Sequence, residues 1–207
     1  EKKEKEEGEK KEGEEAIPAG HSFHGEAFNE GPRQQAVLMP GMPKIEFPTS
    51  TKDPQAQLFF IQGVGQLHGF WYFEAERSFR QAAAIDPEFA MAYWGEALCY
   101  NHPLQNEDNL EEPRQVLKRL GATPEARLAK APTDREKGFL RAVEAKFFNE
   151  GDAAQRKFAY RDAMQQLYEA YPNDHEVASY YALSLLSAAS RMGDQRHRVE
   201  VLAGSIA

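Results

Sequence analysis

Residues 56–100 read A-Q-L-F-F-I-Q-G-V-G-Q-L-H-G-F-W-Y-F-E-A-E-R-S-F-R-Q-A-A-A-I-D-P-E-F-A-M-A-Y-W-G-E-A-L-C-Y, and this stretch decides the fold. Ala75 and Phe79 stand four apart, Ala82 follows three later, and Asp86-Pro87 stops the run. That spacing puts the three on one helical face, where small side chains let a second helix come close. Phe59 and Gly63 sit upstream at matching offsets, and Tyr93 opens a similar run 34 residues after Phe59. A self-similar period of this length, built from two helices and a stop, marks an array of helical hairpins.

Start and stop signals extend the pattern in both directions. Asp53 reads as an N-cap with Pro54 at the first helical position, where a missing N–H costs nothing. A first helix over 55–68 and a second over 72–85 follow, with Gly69 opening the turn between them. The next helix covers 88–101 and ends at His102-Pro103; Ala97 takes the small position that Gly63 takes before it. Asn109 and Glu112 suggest a cap for a helix over 107–120, and Thr123-Pro124 starts a short one to about Lys130. Thr133 with Glu136 predicts a helix over 134–148, and Asp152 with Gln155 another over 153–171. Pro172 closes that helix, and helices over 175–190 and 195–207 complete the chain. Pro87 and Pro172 stand 85 residues apart, half a repeat more than two periods, so the region between them holds an insertion. The last helix carries an apolar face (Val199, Leu202, Ile206) with nothing after it, which reads as a chain ending ahead of further helices.

The segments before Asp53 differ in texture. Residues 1–15 hold eight Glu and five Lys and no apolar residue, the composition of a disordered, solvated tail. Residues 16–52 are broken by Pro18, Pro32, Pro40, Pro43 and Pro48 and by Gly20, Gly25, Gly31 and Gly41, so no helical period survives. They nonetheless carry Phe23, Phe28, Leu38, Met39 and Phe47, and Lys44-Ile45-Glu46-Phe47 alternates like a short extended piece. An irregular arm with that apolar content is expected to lie along another surface. The organisation is thus a tail over 1–15, an arm over 16–52 and a helical domain over 53–207.

Composition narrows the partners. The 207 residues are 41% apolar, enough for one sizeable core, and the formal net charge is −8. A mildly acidic chain without a basic stripe disfavours nucleic acid and anionic membrane surfaces. The longest apolar stretches, 58–61 and 182–186, are far too short to span a bilayer. A single cysteine, Cys99, excludes an internal disulfide and reads as a buried thiol on an apolar helix face. The chain opens on Glu1 without a signal peptide, which leaves both a cytoplasmic and an exported, periplasmic location open.

The repeat resembles the tetratricopeptide family. Matching positions are Phe59, Gly63, Ala75, Phe79, Ala82 and Pro87, then Ala90, Ala92, Tyr93, Ala97 and Tyr100, and later Pro172, Ala182 and Leu185. Gln62 and Gln66 stand where the pattern prefers Leu and Tyr, and Glu96 where it prefers Leu. The fuller run, with G-H-S-F-H-G-E-A-F-N-E-G-P-R-Q from Gly20 and A-M-A-Y-W-G-E-A-L-C-Y-N-H-P-L from Ala90, is similar to a group of longer bacterial tetratricopeptide proteins. The resemblance implies an all-α, right-handed helical solenoid and a scaffold for protein interaction, without a reaction or cofactor.

It also implies a concave groove for a protein or peptide partner, lined by Phe60, Val64, Leu67 and His68 from the first repeat. Met91, Trp94, Leu98, Asn101 and His102 come from the second, and Glu176, Ser179 and Leu183 from the later helix. Trp94 and Leu98 read equally well as core. The arm's own residues 23–47 are a candidate occupant of that groove. Metal binding is the alternative, through His21, His24 and Glu26, since His-x-x-His with a carboxylate suits zinc or copper. His68 and His102, 34 residues apart, with Cys99 three residues before His102 as the nearest soft ligand, are a weaker version of the same idea. No phosphate-binding, dinucleotide or nucleophile-elbow motif occurs, so the expectation is a binding protein and not an enzyme.

Overall fold

A computed structural model describes residues 35–103 and 109–206, and it is all-helical, with no strand among the described residues. The helices are α1 (Pro54–His68), α2 (Tyr72–Ile85), α3 (Ala90–Leu98), α4 (Glu111–Leu120), α5 (Pro124–Ala129), α6 (Asp134–Phe147), α7 (Ala153–Ala170), α8 (His175–Ala189) and α9 (Arg196–Ile206). A 3-10 turn, Gly193–Gln195, precedes α9. Each long helix packs on its neighbours in the chain, and α3 also lies against α1 and α6.

The caps explain where most helices begin. Asp53 accepts from the amides of Gln55 and Ala56 at 2.8 and 3.0 Å, with Pro54 at the first helical position. Thr133 with Glu136, and Asp152 with Gln155, form reciprocal capping boxes for α6 and α7. Asp174 caps α8 through the Val177 amide at 3.0 Å. Two expected boundaries shift. Helix α4 starts at Glu111 behind Leu110, so Asn109 does not cap it. Helix α3 stops at Leu98, because Tyr100 and Asn101 tighten into three-residue turns ahead of His102-Pro103. In the turn after α1 the left-handed conformation falls on Phe70 (φ +58°) and not on Gly69, a strained setting for a bulky residue.

One continuous core joins these helices to the arm, running from Ala36 and Phe47 through α1, α3 and α6 to Ala203 on α9. Its tightest point is Phe79. A Cβ on Gly63 would sit 2.8 Å from the Phe79 ring, and one on Gly95 would sit closer still. The ring is therefore clamped between α1 and α3 at two positions that admit only glycine without rearrangement. Among the described residues no helix is long and apolar enough to cross a membrane. On α9, Val199 and Ile206 pack against the core edge while Val201 and Leu202 remain exposed. Residues 44–47 form no strand, and the arm turns at Pro40-Gly41, where Gly41 takes φ +81°.

Candidate binding cleft

Helix α1 carries polar residues where a core-facing helix calls for apolar ones, and these residues hold the arm. The side-chain amide of Gln62 donates to the Val37 carbonyl at 2.9 Å, and its oxygen accepts from the Met39 amide at 2.6 Å. Behind it, the Ser78 hydroxyl on α2 accepts from Gln62 at 3.0 Å and donates to Gln66 at 2.7 Å, fixing both amides. Gln57 donates to the Phe47 carbonyl at 2.9 Å, and its oxygen accepts from the Thr49 hydroxyl. A segment outside helix or sheet must find partners for its backbone, and here side-chain amides supply them. Gly65 gives the arm its room: an added Cβ would lie 3.1 Å from the end of Met42 and 3.2 Å from the end of Ile45.

The arm's deepest residue is Phe47, only 1% exposed. Its ring meets Phe60 edge-on at 5.0 Å and lies 5.6 Å from Trp94 and 5.2 Å from Phe139, so α1, α3 and α6 each give one wall. The fourth side is the guanidinium of Arg135, 4.2 Å from the Phe47 centroid and 5.0 Å from that of Phe139. A cation over an aromatic face at this range is attractive, more so when partly desolvated. Arg135 is held by a two-pronged pair with Asp174 at 2.6 and 3.2 Å, and it also donates to the Pro48 carbonyl at 3.3 Å. The Ser50 amide donates to Glu136 at 2.7 Å, and the Thr51 hydroxyl to Asp86 at 2.6 Å. Burial works to raise the Asp174 carboxyl, but hydrogen bonds from Arg135 and from the Val177 and Glu176 amides outweigh it and hold the group below its ordinary value.

Phe60, Val64, Met91 and Trp94, expected to line an open groove, are fully buried. The reason is packing: aromatic side chains from α1, α3, α6 and α8 converge there, with Tyr180 edge-on to Trp94 at 5.1 Å, and Phe47 fills what is left. With the arm in place these residues are closed to an outside partner. Leu67, His68, Leu98, Asn101 and Leu183 border a small pocket with Tyr160 and Tyr180. Its volume, about 20 Å³, admits roughly one water and no larger ligand. Tyr180 Oη and, on the neighbouring ring, Trp94 Nε1 are buried with no hydrogen-bond partner among the described residues.

The histidines on α1 and after α3 do not converge. His68 Nε2 lies 2.8 Å from Glu176 Oε2, whereas His102 stacks on Tyr72 at 4.1 Å and meets the Cys99 carbonyl at 3.1 Å. Cys99 donates to the Gly95 carbonyl, and burial pushes its thiol well above the ordinary range. No group of three potential metal ligands occurs among the described residues, and His21, His24 and Glu26 lie outside them. Elsewhere Glu96 is fully buried, 2.7 Å from Arg80 and paired with Arg119. Burial raises its carboxyl more than the two arginines lower it.

Arg135, Phe139, Asp174, Gln57 and Gly65 were not singled out from the sequence. A usable signal existed at Gln62 and Gln66, whose polarity departs from the repeat pattern because they face the arm. Compared with family models, curated proteins and solved structures, the chain matches none of them.

Proposed function

We propose that this chain is a protein-interaction scaffold of the tetratricopeptide type, a right-handed helical solenoid whose inner face receives an extended partner segment. Its own residues 37–50 occupy that seat in cis. The observation that supports the reading is the treatment of the arm: an irregular segment is bound through its backbone by Gln57 and Gln62 and through one buried anchor, Phe47. Side chains that serve a segment's backbone in this manner suit peptide recognition, with carbonyls and amides giving affinity and one pocket giving selectivity. Only residues 51–53 join the seated part to α1, so the arm competes at an effective concentration on the order of millimolar.

An array of extended peptides, probed with the full chain as wild type and as Phe47→Leu, tests the reading. A subset of peptides is expected to be retained by the variant and retained less by the wild type. If neither retains any peptide while both unfold cooperatively, the scaffold reading fails.

A further inference from the structure

We infer that the Phe47 seat selects an aromatic side chain followed by proline, with an aliphatic residue two positions earlier, so that its partners are extended segments of that pattern. This rests on the scaffold reading above and names the partner chemistry of the same site. The arm is the chain's own copy of the pattern, Ile45-Glu46-Phe47-Pro48.

Three features of the seat carry the inference. Residues 44–47 alternate as an extended segment does: Lys44 and Glu46 are exposed, Ile45 is half-buried over Gly65, and Phe47 is buried. Position 45 therefore meets a surface cleared by a glycine and position 47 a closed slot. The slot discriminates by electrostatics as well as size. A leucine would fill much of its volume, but would forfeit the edge contact with Phe60 and the face that Arg135 covers. Arg135 cannot follow a smaller side chain, because Asp174 holds both its Nε and Nη2. Proline next to the ring restricts the aromatic residue to extended backbone, so less conformational freedom is lost on docking. Its carbonyl then accepts from Arg135.

The test uses the full chain as wild type, Phe47→Leu and Phe47→Ala. Each is titrated calorimetrically, to about 1 mM, with a peptide of residues 41–50. Peptides with the aromatic replaced by Leu or Ala, and with the proline replaced by Ala, are run beside it. The parent peptide is expected to bind Phe47→Ala at least about tenfold more tightly than the wild type, which holds its own arm, and Phe47→Leu severalfold more tightly. Loss of the aromatic to Ala is expected to weaken binding by about tenfold or more, and to Leu by severalfold. Equal binding of the Ala peptide would overturn the aromatic selection and leave the scaffold reading standing. No binding of any peptide to a folded variant would overturn the inference, and so would failure of both variants to fold, since Phe47 would then be inseparable core. A wild-type dimer in sedimentation that Phe47→Leu converts to monomer would show the seat filled by a second copy and overturn the cis assignment.

Discussion

His68 and Glu176 meet across 108 positions of sequence, with Nε2 2.8 Å from Oε2, tying the last residue of α1 to the first turn of α8. The His68 ring also lies 5.2 Å from Tyr180, which packs on Trp94. In a stack where each hairpin touches only its neighbours, such a contact would not arise. Here α1 and α8 reach each other through these side chains beside the buried aromatic centre. The pair itself is half open to water, with His68 34% exposed, so its own energy is small. A double-mutant cycle with His68→Ala and Glu176→Gln, read by urea unfolding, is expected to give a coupling below about 1 kcal/mol that fades with added salt.

Phe47 is different in kind. It has no sequence neighbour in the core, yet α1, α3 and α6 all depend on it to close their shared space. Phe47→Ala is expected to cost about 3–5 kcal/mol. Phe47→Leu, which keeps most of the volume, is expected to cost about 1–1.5 kcal/mol. Thermal unfolding of both variants checks the ratio. Near-equal and small losses would mean that the ring contributes little to closure.

Three of the helical glycines separate two jobs. Gly63 and Gly95 face the clamped Phe79 ring, so alanine at either is expected to destabilise by about 1–3 kcal/mol. Gly65 faces the side-chain ends of Met42 and Ile45 with the Pro43 ring at ordinary contact distance, so Gly65→Ala is expected within about 0.5 kcal/mol of wild type as helix propensity offsets the crowding. Gly65→Leu is expected to push residues 42–45 off α1 while the helices stay folded. Limited proteolysis reports it: cleavage after Lys44 should rise sharply in that variant and in neither alanine form.

What the sequence displayed and what it hid follow from interaction range. The start of α1 at Asp53-Pro54 and the boxes at Thr133 and Asp152 rest on bonds spanning two or three residues, so their chemistry is visible in a short window. The seat is built from bonds spanning 86 and 87 residues, Ser50 to Glu136 and Arg135 to Pro48, which no local pattern encodes. The family resemblance put Phe60 and Trp94 together on one inner face. It carries no information on whether that face meets a partner, another helix or the chain's own arm. Gln62 and Gln66 were the exception, because a polar residue on a core face demands a polar partner somewhere.

Asp174 links the arm to α8, since one carboxylate caps that helix and grips Arg135. Its carboxyl is held below the ordinary aspartate value despite burial. A depressed carboxylate contributes stability that is present above the unfolded value and lost as pH falls through the folded one. Asp174→Asn keeps a capping oxygen but loses the charge, so it is expected to be less stable than wild type by about 1 kcal/mol at neutral pH. That gap should narrow as pH falls below about 4, where the unfolded carboxyl takes up its proton, and close once the folded one is protonated too. Unfolding curves at several pH values test it, and a gap independent of pH would assign the loss to the cap alone.

Glu96 gives the opposite sign. It is fully buried and its carboxyl is raised, since burial outweighs the pull of Arg119 and Arg80. A raised carboxylate contributes stability that is complete below the unfolded value and lost as pH rises through the folded one. Above the folded value the wild type therefore carries the cost of a buried charge. Arg80 and Arg119 both retain some exposure, so each has a route to water if the carboxylate is removed. Leucine, the residue that the repeat pattern prefers at this position, is expected to leave stability within about 1 kcal/mol of wild type at pH 7 or to raise it. Alanine leaves a cavity as well and is expected to cost about 2–4 kcal/mol. Because only the wild type titrates, the standing of Glu96→Leu relative to it should decline as pH is lowered from neutral toward the ordinary glutamate range. A loss of several kcal/mol in Glu96→Leu at pH 7 would instead mean that both arginines depend on the carboxylate to stay in place.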